Sequence, residues 1–344
     1  MLALMAAGGI AFIVAVLGTP FLMRWLKGRE IGQQIRSDGP GHHIAKAGTP
    51  TMGGLVIIAA VVLGFLAAHV GTSVHLSRPG FLVLFAIASF GLLGFIDDWL
   101  KIRNRRSLGL NKRAKFLGQL IASAIFAILA AEWAGASTSL SFTRLDLPGW
   151  HFGVVVWVLL AILIMVGSSN AVNLTDGLDG LASGSATLCF AVLAIAGYWQ
   201  FRHLDIYQVK DALDLALADI ALAGACLGFL WWNAPPAKIY MGDTGSLAIG
   251  SGLAALCILQ NLELLLPIIG GLFVIETLSV IVQVASFRLI GRRVFKMAPI
   301  HHHFELLGWP ESTVIIRFWI LGGQFAALGL GIFYGDFLSV AKVV

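Results

Sequence analysis

Ten long apolar runs alternate with short polar connections along this chain, and few architectures tolerate that pattern. About 20 apolar residues make one bilayer crossing. Inside hydrocarbon every backbone N–H and C=O must be satisfied within the structure, which a helix does by itself. The runs cover 3–23, 53–70, 80–96, 116–134, 152–172, 181–199, 215–232, 246–260, 263–287 and 314–335. Only 12% of the 344 residues are charged and 58% are hydrophobic, with a mean hydropathy of +0.88; a soluble domain carries roughly 25% charged residues. The expectation is an all-α integral membrane protein with ten transmembrane helices, a single polytopic domain over 1–344. Cys189, Cys226 and Cys257 lie inside apolar runs without a C-x-x-C pair, so they read as span-filling residues and indicate neither a zinc site nor a disulfide frame.

Charge placement sets the orientation. The first run has no basic residue before it and is followed by Arg24, Lys27 and Arg29, which reads as a retained anchor with its N-terminus outside. With ten crossings the C-terminus is then also outside. Seventeen of the 23 Lys and Arg fall on the resulting inner loops, and five on the outer segments, namely Arg78, Arg144, Arg202, Lys210 and Lys342. The outer stretch 140–150 alternates as a small hairpin, and 202–214 reads as a polar connector with helical character. Glu276 and Arg317 lie inside runs, where ionisable groups pair or serve function; the expectation is that they meet.

The inner loops hold the unusual polar clusters. Asn170 to Gly180 reads NAVNLTDGLDG. Carboxylates at the edge of hydrocarbon are costly unless they hold a cation or polar ligand. If this segment opens the following helix, Asp176 and Asp179 share a face, with Gly177 and Gly180 allowing close backbone approach. KAGTPTMGG, from Lys46 to Gly54, is a turn of the kind that cradles phosphate or caps a helix. GFIDDWLK places Asp97 and Asp98 together with Lys101 one turn on, a pairing suited to Mg²⁺ and phosphoryl transfer. NKRAKFLGQ sets Lys115 and Gln119 on one helical face. NAPPAKIYMGDTGS offers Tyr240 for stacking on a base, Asn233 for hydrogen bonding, and Asp243 either as a metal ligand or as a helix cap. In APIHHHFELLG three consecutive histidines cannot share one helical face; on a turn they can donate to phosphate oxygens, or one or two of them can bind a transition metal. Zinc is disfavoured, since no cysteine shares that side.

Taken together, KAGTPTMGG, GFIDD, KFLGQ, NAVNLTDGLDG, NAPPAKIYMGDTGS and PIHHHFE resemble the bacterial phospho-N-acetylmuramoyl-pentapeptide transferase (MraY) family of the polyprenyl-phosphate hexose-1-phosphate transferase superfamily. The resemblance covers all ten runs. It implies a bacterial inner-membrane enzyme with its active site on the cytoplasmic face. The reaction implied is attack of undecaprenyl phosphate on UDP-N-acetylmuramoyl-pentapeptide, yielding lipid I and UMP with Mg²⁺ as cofactor, in a homodimer without nucleic-acid partners. It further implies Asp243 as magnesium ligand, Asp97 and Asp98 beside the reacting phosphates, and His301, His302 and His303 lining the same centre. Lys46, Lys101, Lys115, Asn170 and Asn173 would contact substrate, and the uridine would lie against Tyr240 and be read by Asn233, Asp176, Asp179 and the Gly177–Leu178 backbone. Tyr240 stands where the family commonly has phenylalanine. The histidine triplet argues against a sibling using UDP-N-acetylglucosamine. Polar clusters confined to one face, without internal repeats, argue against a transporter.

Overall fold

The apolar runs become helices, and two of these start at a capping side chain. α1 (Leu2–Lys27) and α2 (Gly54–Val70) are followed by α3 (Arg78–Arg103), which Ser77 caps by accepting from Gly80 N at 3.0 Å. Asn111 caps α4 (Lys112–Glu132), accepting from Ala114 N at 2.7 Å. The chain continues through β1 (Ser139–Leu140), β2 (Trp150–His151), α5 (Val154–Thr175), α6 (Leu181–Arg202), α7 (Leu204–Tyr207), α8 (Ala212–Asn233) and α9 (Gly242–Leu259). It closes with α10 (Leu266–Ile269), α11 (Gly271–Ile290), α12 (Ile300–Glu305) and α13 (Glu311–Ala341). This computed structural model describes residues 1–29, 48–70, 72, 74–104 and 109–341.

Among the described residues nine helices are long and apolar enough to cross a membrane, and α2 is a shorter apolar helix of 17 residues. The run at 263–287 is not one helix. Pro267 stands in the first turn of α10, which ends at Gly270 before α11 begins; proline suits a helix start and cannot continue one. The expected outer hairpin is present, β1 pairing antiparallel with β2. It is pinned to α13, where Asp336 accepts from Thr143 Oγ1 at 2.6 Å and from Arg144 Nε at 2.8 Å. α7 supplies the helical turn of the 202–214 connector.

The core sits where α8 and α9 run. In the most apolar stretch of α9, 89% of residues are buried, against 17% in α11, so α9 is enclosed and α11 is largely surface. α9 packs on α3 and α5, and α8 on α1 and α6. Lipid tails are as apolar as leucine, so such helices adhere by close packing of small residues. α1 supplies Ala3, Ala7, Ala11 and Ala15, all buried on one side at four-residue spacing. Opposite them, a Cβ added at Gly224 of α8 would fall 2.2 Å from the Gly8 carbonyl oxygen, so the two backbones touch. Cys189, Cys226 and Cys257 are buried and free, as span filling requires.

That contact predicts a stability effect. Gly224→Ala should cost about 1–3 kcal/mol through overpacking. Gly9→Ala, where an added Cβ meets nothing within 4 Å, should stay within about 0.5 kcal/mol. Thermal melts of the detergent-solubilised variants check this, and equal midpoints would show that the fold does not depend on the α1–α8 approach.

Candidate active site

Two helix ends of opposite polarity meet at one end of the bundle. Asp97 and Asp98 lie in the last turns of α3, where a helix dipole disfavours negative charge, but they face the N-terminus of α9, where it favours it. Asp98 accepts from Thr244 N at 2.9 Å, Thr244 Oγ1 at 2.7 Å and Asp243 N at 3.2 Å. It thus caps α9 from another helix, using amides that no intrahelical carbonyl can satisfy. The approach needs Gly94, since a Cβ there would lie 2.1 Å from the Asp243 carbonyl oxygen.

With the cap supplied by Asp98, the Asp243 carboxylate turns outward. Its Oδ2 meets Lys115 Nζ at 2.6 Å and Lys101 Nζ at 2.9 Å, and its Oδ1 accepts from Asn173 Nδ2 at 2.8 Å. Asn173 also donates to Ser246 Oγ at 2.8 Å. Asp97 accepts from Leu110 N at 2.9 Å and lies 2.6 Å from Lys101. The Asp243 side chain is therefore engaged by Lys101, Lys115 and Asn173, and the α9 amides of Asp243 and Thr244 go to Asp98. Asp97, Asp98 and Asp243 each offer an oxygen, all within 4.8 Å of one another, a hard-oxygen set that fits a divalent cation such as Mg²⁺.

The loop after α5 departs from the expected geometry. α5 stops at Thr175 and α6 starts at Leu181, so Asp176 and Asp179 sit in a turn and do not open a helix. Loss of water, then the carboxylates of Asp243, Asp98 and Asp179, hold Asp176 well above the usual carboxylate range. Asp179 is buried and accepts from Ala237 N at 2.9 Å, while its own N–H donates to Glu311 Oε1 at 3.2 Å. Asn170 bridges α5 to α4, donating to Gln119 Oε1 at 2.9 Å.

Two residues expected at the nucleotide have packed side chains. That of Leu178, whose backbone is the part expected to read the uridine, belongs to an apolar cluster with Leu181, Leu272, Val314, Ile315 and Phe318. Asn233 is 2% exposed; its Nδ2 donates to the Ile239 carbonyl at 2.9 Å and its Oδ1 accepts from Ser183 Oγ at 3.0 Å. It braces the loop from beneath. Tyr240 is half-buried, and its backbone pairs with the segment before α2: Tyr240 N donates to Pro50 O and Gly53 N to Tyr240 O, both at 2.8 Å, and Gly54 N donates to Met241 O at 2.9 Å. Lys46, at the start of that segment's motif, lies outside the described residues.

The histidine triplet is helical, and at about 100° per residue its three side chains cannot all face one centre: His301 and His302 stay together while His303 turns to Lys296. His301 is fully buried, its Nδ1 3.0 Å from Glu276 Oε2, a contact too poorly aligned to count as a hydrogen bond. His302 places Nδ1 2.6 Å from Glu305 Oε2 and meets the His301 ring edge to face at 4.2 Å. His303 accepts from Lys296 N at 3.1 Å. The expectation that all three line one centre is therefore corrected. His301 and His302 do reach the nucleotide loop, because a Cβ at Gly177 would lie 2.3 Å from His301 Nε2 and 3.4 Å from His302 Nε2. The expected pairing of Glu276 with Arg317 is also corrected: Glu276 faces His301, and the Arg317 guanidinium lies over the Trp309 ring at 4.2 Å. Sequence reasoning missed Asp98 as a cap, Glu276 as the partner of His301, and Glu311 at the Asp179 turn. All three are contacts between distant segments.

Comparison with known proteins identifies the family of the chain. Residues 80–261 match the model of glycosyl transferase family 4, and residues 46–58 match phospho-N-acetylmuramoyl-pentapeptide-transferase signature 1. The chain is 51% identical to the phospho-N-acetylmuramoyl-pentapeptide-transferase of Frankia casuarinae, over 97% of each chain. It is 49% identical to that of Saccharopolyspora erythraea over 99% of each, and 48% identical to that of Streptomyces avermitilis over 97% of this chain and 98% of the other. With this identity sustained from end to end, the chain belongs to the phospho-N-acetylmuramoyl-pentapeptide-transferase family.

Proposed function

We propose that the protein transfers phospho-N-acetylmuramoyl-pentapeptide from its UDP carrier to undecaprenyl phosphate, forming lipid I and releasing UMP, as a multi-pass protein of the bacterial inner membrane. The observation that carries this reading is the Asp97–Asp98–Asp243 cluster with Lys101 and Lys115 at one end of the bundle, in a chain about half identical to the named transferases. With α2 counted as a crossing there are ten spans, both termini lie outside, and the cluster faces the cytoplasm where the basic loops gather. The chain works as a homodimer.

An acceptor phosphate monoester, with a second pKa of about 6, is already mostly dianionic at neutral pH. Its oxygen bonds to the sugar-linked phosphorus while the bridging oxygen leaves with UMP, and no base is required. Asp243 and Asp97 would hold Mg²⁺, which when bound supplies charge neutralisation to the transferring phosphoryl group. Lys115 and Lys101 add positive charge at the same place, and Asn173 orients Asp243. Asp98 keeps α9 in register. Tyr240 offers its ring to the uracil, with Asp176 and the Gly177 backbone beside it. UMP release from UDP-N-acetylmuramoyl-pentapeptide, set against UDP-N-acetylglucosamine, tests the reaction; release from the second nucleotide alone would overturn it.

The two aspartates on either side of the α3–α9 junction should respond differently. Asp243→Asn is expected to leave the protein folded while activity falls more than 100-fold, since lost metal charge is worth several kcal/mol of barrier. Asp98→Asn turns an amide N–H toward backbone donors and should also cost about 1–3 kcal/mol of stability. Paired melting and UMP-release measurements distinguish them; turnover by Asp243→Asn within a few-fold of the parent would exclude the ligand role.

Tyr240→Phe should retain most nucleotide affinity, and Tyr240→Ala should lose about 1–3 kcal/mol, the usual worth of one base stacked on an aromatic ring. Titration with UMP reads this, and equal affinity in all three proteins would make Tyr240 a packing residue only.

A further inference from the structure

Lys101 touches all three carboxylates of the cluster. Its Nζ lies 2.6 Å from Asp97 Oδ2, 2.9 Å from Asp243 Oδ2 and 3.6 Å from Asp98 Oδ1. The oxygens that the three carboxylates offer are themselves within 4.8 Å of one another, so a cation touching two of them must enter the space beside or within that ammonium's own. Lys115 differs, approaching Asp243 Oδ2 from the other side at 2.6 Å.

The charges make joint occupancy unfavourable. Three carboxylates with two lysines sum to one net negative charge, and a divalent ion added to that set leaves it net positive, with two cations in near contact. Opposite charges this close stabilise each other, and like charges repel by the same law. Lys101 has the means to leave: it stands in the last turn of α3 on a flexible four-carbon stem, and its side chain is 30% exposed, against 19% for Lys115.

We propose that Lys101 is an exchangeable counter-cation: its ammonium holds the three carboxylates together in the metal-free protein, and it swings out when a divalent cation enters. This rests on the reading of the cluster as a metal site. It explains how three carboxylates can be preassembled without self-repulsion. It also makes metal entry an exchange of one cation for another, with an affinity lower than the bare carboxylates would give.

Two measurements on the full-length protein in detergent test it. The first is Mn²⁺ binding by electron paramagnetic resonance for the parent and for Asp243→Asn, Lys101→Gln and Lys115→Gln. The second is reductive methylation of lysines, read by mass spectrometry with and without saturating Mg²⁺, using the exposed Lys238 as internal reference. The expected results are Mn²⁺ binding that Asp243→Asn abolishes and about tenfold tighter binding in Lys101→Gln, exceeding the through-space gain of Lys115→Gln. Lys101 should methylate several-fold faster when Mg²⁺ is present. Unchanged or slower Lys101 methylation, or a Lys101→Gln gain no larger than that of Lys115→Gln, overturns the exchange while leaving the metal site standing. Absence of Mn²⁺ binding at the cluster overturns both.

Discussion

Asp98 holding the first turn of α9 is the contact on which the rest of the site depends. A helix N-terminus carries amides that its own carbonyls cannot satisfy, and in α9 these point toward the end of α3, where Asp98 accepts from Asp243 N, Thr244 N and the Thr244 hydroxyl. One side chain therefore sets both the axial position of α9 and the direction in which Asp243 faces. Without it Asp243 would be the natural candidate to cap its own helix, and the pair Asp97–Asp243 would have no reason to converge on Lys101.

Much of this was legible in the sequence, for a definite reason. Apolar run length is dictated by bilayer thickness, so nine of the ten runs became single helices close to where they were expected, the run at 263–287 dividing into α10 and α11, and polar residues stranded at run ends marked the site. Asp97, Asp98, Lys101, Lys115, Asn173 and Asp243 do come together. What the sequence concealed was the partner of each polar group across long separations. Glu276 faces His301 and not Arg317, and Asn233 spends its amide on Ser183 and Ile239; no local pattern encodes either choice. The triplet illustrates a second limit. Whether three consecutive histidines converge depends on whether the segment is a turn or a helix, and six residues are too few for periodicity to decide.

The packing logic differs between the two sides of the molecule. Between α1 and α8 alanines and glycines bring backbones into contact, since only shape complementarity distinguishes a neighbouring helix from a lipid tail. At the site end, glycines serve polar chemistry instead, Gly94 admitting the start of α9 and Gly177 admitting two imidazoles. The same residue type thus closes an apolar seam in one place and opens room for charge in another.

The backbone pairing of Pro50, Gly53 and Gly54 with Tyr240 and Met241 has a mechanical meaning. Three main-chain hydrogen bonds splice the lead-in to α2 onto the lead-in to α9, so segments nearly 190 residues apart in the chain form one short ribbon. Tyr240 cannot shift to admit or release a ring without dragging the start of α2 with it. Any breathing of this mouth is consequently a concerted movement of two helix entrances, and its stiffness is set by peptide groups, which only a proline at one of the donor positions would remove.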